Sequence, residues 1–435
     1  MNKIFNFFVL FLFLSGCSLD TKTSIWTQPE KINSENKNIE KKLFVEKEVY
    51  EKEFNKDLKI RLKSNSKKES FIKNYLNNNG VVQFDGKLKK ISKYKFSKIS
   101  QFDQYQPELL FTNKKNLIFF DNKGTILNFG INKKLIWKNN FYSKNEKKQN
   151  PILYFDSDDK ILIVADNIAK YYAINLINNK LLWSKNSVAP FNSQIKIYKD
   201  KFFIIDFSNT LRCFSLKNGN ELWSVKTQNS LIRSQKKLSV VLVKDIVYFN
   251  NSIGDISAVD LNSGELLWQL PTQNTLIYES SFSLETSDIV TDSKSLYFSN
   301  NQNQFFSIDI DSGNFNWETK INSNLRPIII GNILFTISLE GYLFLIDKNK
   351  GSIIRVTDVF DNFKSKKRNL IKPTGFILGR DNIYLSTNNG RLLVIDVANG
   401  KTISTLKIDN EKILKPVYFD EKLFVVKNNA IIRLN

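Results

Sequence analysis

Histidine is absent from all 435 residues. Its absence removes His-based triads, His general bases and His-ligated metals. Cysteine is almost absent. Cys17 and Cys213 are the only two, so no thiolate cluster can bind a metal. Arg-rich clusters and basic helices are lacking too, although the formal net charge is +21. A basic surface suits anionic lipid or nucleic acid. Because the charge is dispersed among Asn and Ile, we read it as a compositional bias on a solvated surface. No catalytic constellation emerges. The chain does have apolar residues, 42% of the total, enough for a sizeable core.

It also repeats itself. Asn262-Ser-Gly-Glu-Leu-Leu-Trp268 is a tight turn followed by a strand that ends in a large aromatic. Asn and Gly tolerate positive φ, so the chain can reverse there without strain. The phrase recurs as Asn132 to Trp137, Asn178 to Trp183, Asn218 to Trp223 and Asp311 to Trp317. Two decayed copies follow, Asn349 to Arg355 and Asn399 to Ser404, in which Arg and Ser stand at the Trp position. Successive anchors lie 38 to 49 residues apart, the length of one four-stranded propeller blade. The recurring Trp137, Trp183, Trp223, Trp268 and Trp317 could be cofactor platforms. A fixed position in every unit favours packing between neighbouring blades instead.

Within unit four, Leu238–Val243 reads as the inner strand, Ile246–Asn250 as the second and Asp255–Asp260 as the third, ahead of the Trp strand. Seven units carry a Trp-type strand. The C-terminal stretch supplies Lys422–Val426 and Ala430–Leu434 but stops before one. An open sheet edge is a liability, and Gly86–Phe96 can close it. The expected fold is therefore an all-β, eight-bladed propeller whose last blade takes an N-terminal strand. Seven blades with a loose C-terminal hairpin is the alternative.

The N-terminus differs in character. Lys3 precedes a compact apolar run, Ile4–Leu14, too short to span a membrane comfortably as a permanent helix. It ends Leu14-Ser-Gly-Cys17, which resembles a bacterial lipobox; residues 1–16 would be the signal peptide and Cys17 the lipidated residue. With Ser18 next, the resemblance implies the outer membrane, with the protein held on a leaflet facing the periplasm. Cys213, in Leu211-Arg-Cys-Phe-Ser-Leu216, is then a small buried hydrophobe. Residues 17–79, rich in Lys, Glu and Asn, read as a flexible tether with one transient helix around Ile39–Leu62. A membrane-surface or partner-binding helix is the alternative there. The propeller is expected over 80–435.

The Gly-x-x-x-Trp strands, seen at Gly219, Gly264 and Gly313, are similar to the repeats of pyrroloquinoline-quinone-type propellers. With the lipobox and the eight-blade count, the chain resembles the BamB family of propeller lipoproteins in the outer-membrane β-barrel assembly machinery. The resemblance implies a non-enzymatic scaffold without cofactor or metal. It also implies BamA as partner, bound through loops at one face of the ring. The family's apolar-x-apolar-Arg contact loop falls on Ser230-Leu231-Ile232-Arg233, with Ser230 at the first apolar position and Leu231 beside it. A second, acidic loop falls on Ser283-Leu284-Glu285, where Glu285 keeps the charge. Two other classes stand beside this one. A quinoprotein dehydrogenase uses the same repeats, but the chain lacks a vicinal Cys pair and a dense acidic cluster. A glycan-binding propeller would need exposed aromatics.

Overall fold

Apolar residues come in runs of four to six bounded by turn residues, and each run forms a strand. The computed structural model describes residues 52–62, 78, 84, 86–228, 236–272 and 284–435. Val49–Asn435 belong to one compact unit. The strands form eight four-stranded antiparallel sheets arranged as the blades of a propeller. Seven blades use four consecutive strands, A at the centre to D at the rim. In blade four these are Val240–Val243, Ile246–Asn250, Ile256–Asp260 and Leu266–Leu270. The inner and third strands are shorter than the sequence suggests, the second matches it, and the Trp strand runs on past Trp268 to Leu270.

The eighth blade is composite. Val417–Phe419, Lys422–Lys427 and Ala430–Leu434 are its strands A to C, and Lys90–Lys95 is its strand D. Tyr94 pairs with Ile431 and Lys95 with Ala430. Lys89 and Asn435 exchange backbone hydrogen bonds of 2.8 and 3.0 Å. The C-terminal hairpin is thus integrated, and the seven-blade alternative falls away.

The core lies between blades. One apolar cluster joins Val241, Tyr248 and Ala258 of blade four to Leu296, Phe298 and Phe306 of blade five. Another joins Tyr297 and Phe305 of blade five to Leu334 and Phe344 of blade six. Strands B and C are covered on both faces and therefore read as unbroken apolar runs, such as Leu117–Phe120. Cys213 is fully buried in the cluster between blades three and four, where burial pushes its thiol up to about 12. It packs there as a small hydrophobe.

At the rim several seams have a second component. Gly264 ends the strand C–D turn of blade four with φ of 76°, and a Cβ there would lie 2.7 Å from the Trp223 ring of blade three. Only glycine allows that approach. Gly219, Gly313 and Gly351 stand the same way against Trp183, Trp268 and Trp317. In blade four a bulge sets the aromatic: Ala258 faces Trp268 and Val259 faces Leu266, leaving Leu267 as the extra residue. The indole N–H then reaches across the seam. Trp183 donates to Leu216 O, Trp223 to Leu261 O and Trp317 to Lys348 O, at 3.0 to 3.2 Å. These indoles are half-buried rather than enclosed.

Arg355, read from sequence as a decayed anchor, replaces the indole with the same logic. It is fully buried. Its Nη2 donates to Val397 O at 3.1 Å, the carbonyl matching Lys348 O one blade on, and its Nη1 donates to Ala398 O and to Leu58 O, the latter at 2.9 Å. Leu58 belongs to a strap. Residues 52–62, placed by sequence within the tether, lie against blades six and seven. Phe54 and Val356 exchange backbone hydrogen bonds of 3.1 and 2.9 Å, and Ile60 N–H donates to Ala398 O at 2.9 Å. Ile60 and Leu62 pack on the cluster between those blades. Residues 52–62 contain no helix; the rest of the helix anticipated around Ile39–Leu62 lies outside the described residues.

Two stability predictions follow from the seams. Trp268→Ala should cost about 2 kcal/mol, below the ~3–5 kcal/mol of fully buried aromatics, because part of the ring stays in water. Gly313→Ala strains the same contact from the other side, so urea denaturation of the double variant should show less than the summed loss. Additive losses would mean that the two residues do not meet. Arg355→Ala removes charged hydrogen bonds worth about 1.5–3 kcal/mol each. The amides of Phe54 and Ile60 should then exchange at least about tenfold faster by hydrogen-exchange mass spectrometry; unchanged exchange would show that the strap is held by other contacts.

Candidate functional site: the charged mouth of the channel

The A strands of a propeller surround a central channel, and the residues just ahead of those strands meet at one mouth of it. Glu108, Asp288, Arg326 and Lys415 each lie two residues before an A strand, those beginning at Leu110, Val290, Ile328 and Val417. Lys237 stands three residues before Val240, and Lys196 opens strand Lys196–Tyr198. Their contacts cross the ring. Lys237 of blade four lies 2.7 Å from the carboxylate of Glu108 of blade one. Arg326 of blade six lies 3.5 Å from the same carboxylate, and its Nε donates to Asp288 of blade five at 2.6 Å. Asn78 fills one side. Its Nδ2 donates to Ser239 Oγ at 3.1 Å and Ile289 O at 2.9 Å, while its Oδ1 accepts from Lys196 Nζ at 2.7 Å.

Burial and mutual repulsion set the electrostatics. Burial, then the nearby Arg326, pushes the Lys415 ammonium down to about 7. Burial also takes Lys196 and Lys236 down to about 8. Burial alone would raise the Asp288 carboxyl, but Arg326 and then Lys237 overrule it and hold it well below the usual range.

Glu285 stands at the rim of this mouth. It is exposed, and its carboxylate accepts from Asn324 Nδ2. Its backbone is pinned, with N–H donating to Asn301 Oδ1 at 2.9 Å and C=O accepting from Asn301 N at 3.0 Å. Lys236 Nζ donates to Asn324 O, so the approaches to blades four and five are tied together through Asn324. Leu231, Ile232 and Arg233 lie outside the described residues, as does Cys17. Trp137, Trp183, Trp223, Trp268 and Trp317 sit on D strands at the opposite, outer edge of the blades. The structure therefore separates the Trp positions from the mouth. Sequence reading missed the mouth itself. The available signal was a charge two residues ahead of several inner strands, visible only once strand starts are aligned. Among the described residues no group of three or more His, Cys, Asp or Glu could hold a metal.

The family model described as outer membrane protein assembly factor BamB matches residues 122–357, just over half of the chain. The chain belongs to the BamB family. The crystal structure of BamB from Moraxella catarrhalis is similar at a TM-score of 0.65 and 14% identity, covering 80% of this chain and 100% of that one. A computationally designed protein, Ika8, is similar at 0.58 and 10%, covering 82% and 100%. Both likenesses concern the fold. No curated protein sequence matches the chain. As a BamB-type propeller it is a scaffold in its general role, and its charged mouth is a feature of this chain's own residues.

The mouth predicts an unusual pH profile. An unfolded lysine titrates near 10.4, whereas Lys415 does so at about 7 when folded. Between these values the unfolded chain binds more protons, so stability rises with pH from about 7 to about 10. Lys196 and Lys236 act in the same direction from about 8 upward. Lys415→Met should raise the melting temperature at pH about 7 and flatten the rise toward pH about 9. A variant that melts below the parent at pH about 7 would contradict this account.

Proposed function

We propose that the chain is a non-catalytic scaffold lipoprotein that binds BamA and aids the folding and insertion of outer-membrane proteins. Membership of the BamB family over residues 122–357 carries this reading. In it, residues 1–16 are removed, Cys17 is acylated, and residues 17–79 link the anchor to the propeller on the periplasmic face of the outer membrane. A single acyl chain anchors weakly, so more than one chain per Cys17 is needed for stable attachment.

The contact with BamA is assigned to the connections ahead of blades four and five, at Leu231, Ile232, Arg233 and Glu285. Physical chemistry supports the choice. A guanidinium beside apolar anchors is a strong interface combination. Glu285 is exposed while its backbone is held on both sides by Asn301, so it is presented with little entropy to lose on binding. No cofactor enters this reading.

Site-specific photo-crosslinking in cells tests it. A crosslinker at 233 or 285 should give an adduct containing BamA, whereas one at the exposed rim residue Leu182 should not. Adducts lacking BamA at both positions, with the assembly complex otherwise intact, would overturn the reading.

A further inference from the structure

We infer that the edge of the ring over blades six and seven is a membrane-contact surface, fitted to a leaflet of anionic phospholipid headgroups. The inference rests on the lipid-anchor reading of Cys17 and adds a second point of contact to it. The surface has two neighbouring parts, the strap and the connection from blade six to blade seven, residues 359–372. Asp358 joins them. Its N–H donates to Glu53 Oε1 of the strap at 3.4 Å, and its carboxylate accepts from Arg368 Nη1 of the connection.

The connection holds basic and apolar groups outward. Arg368 is engaged by the ring, on Asp358 and over the Tyr342 ring at 5.2 Å from its centroid. Lys364, Lys366 and Lys367 are exposed and form no ion pair among the described residues. Leu370 follows, 74% exposed. Its backbone is nevertheless fixed. Asn388 Nδ2 donates to Leu370 O at 3.0 Å, and Asn388 Oδ1 accepts from Lys372 N at 2.8 Å. A side chain presented this way loses little freedom on binding, and leaving water for the acyl boundary is favourable for it. Lysine stems lie along apolar surface while their ammonium groups reach headgroups. Lysines around an apolar tip are what an anionic interface binds. Opposing charge is scarce, since Asp361 is the only carboxylate in residues 359–372. Beside them, Glu53 meets Lys56 and Asp358 meets Arg368.

The direction of the chain supplies a further argument. The strap runs from Glu53, beside Asp358, to Ile60, beside Ala398. The chain therefore departs toward Cys17 from the end that adjoins the connection. An acidic protein could use the same lysines, but the exposed Leu370 and the point of departure favour the leaflet that holds the anchor.

Fluorescence quenching on vesicles containing spin-labelled lipid tests this. The acylated protein carries a bimane at Asn369→Cys, which leaves Leu370 in place; Cys17 is then blocked and Cys213 is buried. Emission should fall at least about twofold on vesicles of phosphatidylethanolamine and phosphatidylglycerol, and far less on phosphatidylcholine. The variant combining Lys364→Gln, Lys366→Gln and Lys367→Gln should lose most of that quenching, as should Leu370→Ser, while both melt like the parent. A bimane at Ile177→Cys, on an exposed turn of blade two, should stay unquenched. An unquenched probe at 369, on protein that floats with the anionic vesicles, overturns the inference and leaves the anchor standing. Equal quenching at 177, or full quenching in the triple lysine variant, overturns it too. Flotation with the anionic vesicles alone would sink the anchor and keep the surface; flotation with neither would sink both.

Discussion

The ring depends on one contact made repeatedly: at most seams the outer strand of one blade lays a side chain on the C–D turn of the next. An indole on a glycine does this between blades two and three, three and four, and five and six, with its N–H on the carbonyl just past strand C. Arg355 does it between six and seven. The hydroxyl of Tyr94 does it between eight and one, donating to Ile131 O at 3.1 Å. The residue varies, but the acceptor stays at the same place in the turn. A backbone carbonyl left bare at such a seam would lose a hydrogen bond, so any side chain that can donate from that strand preserves the joint.

That pattern explains what was legible in the sequence. Turn, glycine and Trp recur with a period, so the blade count could be read, and an unmatched last unit pointed to Gly86–Phe96 as the closing strand. Arg355 was illegible because equivalence was judged by residue type, while the structure conserves a donor. The strap was illegible for a different reason. Phe54, Leu58, Ile60 and Leu62 are sparse among charges, and nothing in their spacing says that a buried guanidinium waits for the carbonyl of Leu58. The charged mouth was hidden because its members come from five or more blades and are far apart in the chain. Only the closed ring brings Lys237 to Glu108.

Rim and mouth also differ energetically. At the rim several seams are closed by a strand D donor on a backbone carbonyl of the next blade. At the mouth cations outnumber carboxylates, and burial holds Lys415, Lys196 and Lys236 below their ordinary range. Stability is concentrated between blades, and strain is concentrated at the axis. Such a division suits a rigid frame that presents a reactive surface without deforming.

The composite blade has a consequence for how the chain folds. Tyr94 and Arg433 are 339 residues apart yet lie in paired strands. No local contact can substitute for that pairing, and bringing such distant segments together carries a large loop-closure cost. Blades one to seven each pair strands close in sequence and can form as they emerge. The eighth cannot, because its outer strand comes from the other end of the chain, and until that strand pairs the row of backbone groups on Ala430–Leu434 stands open to any passing strand.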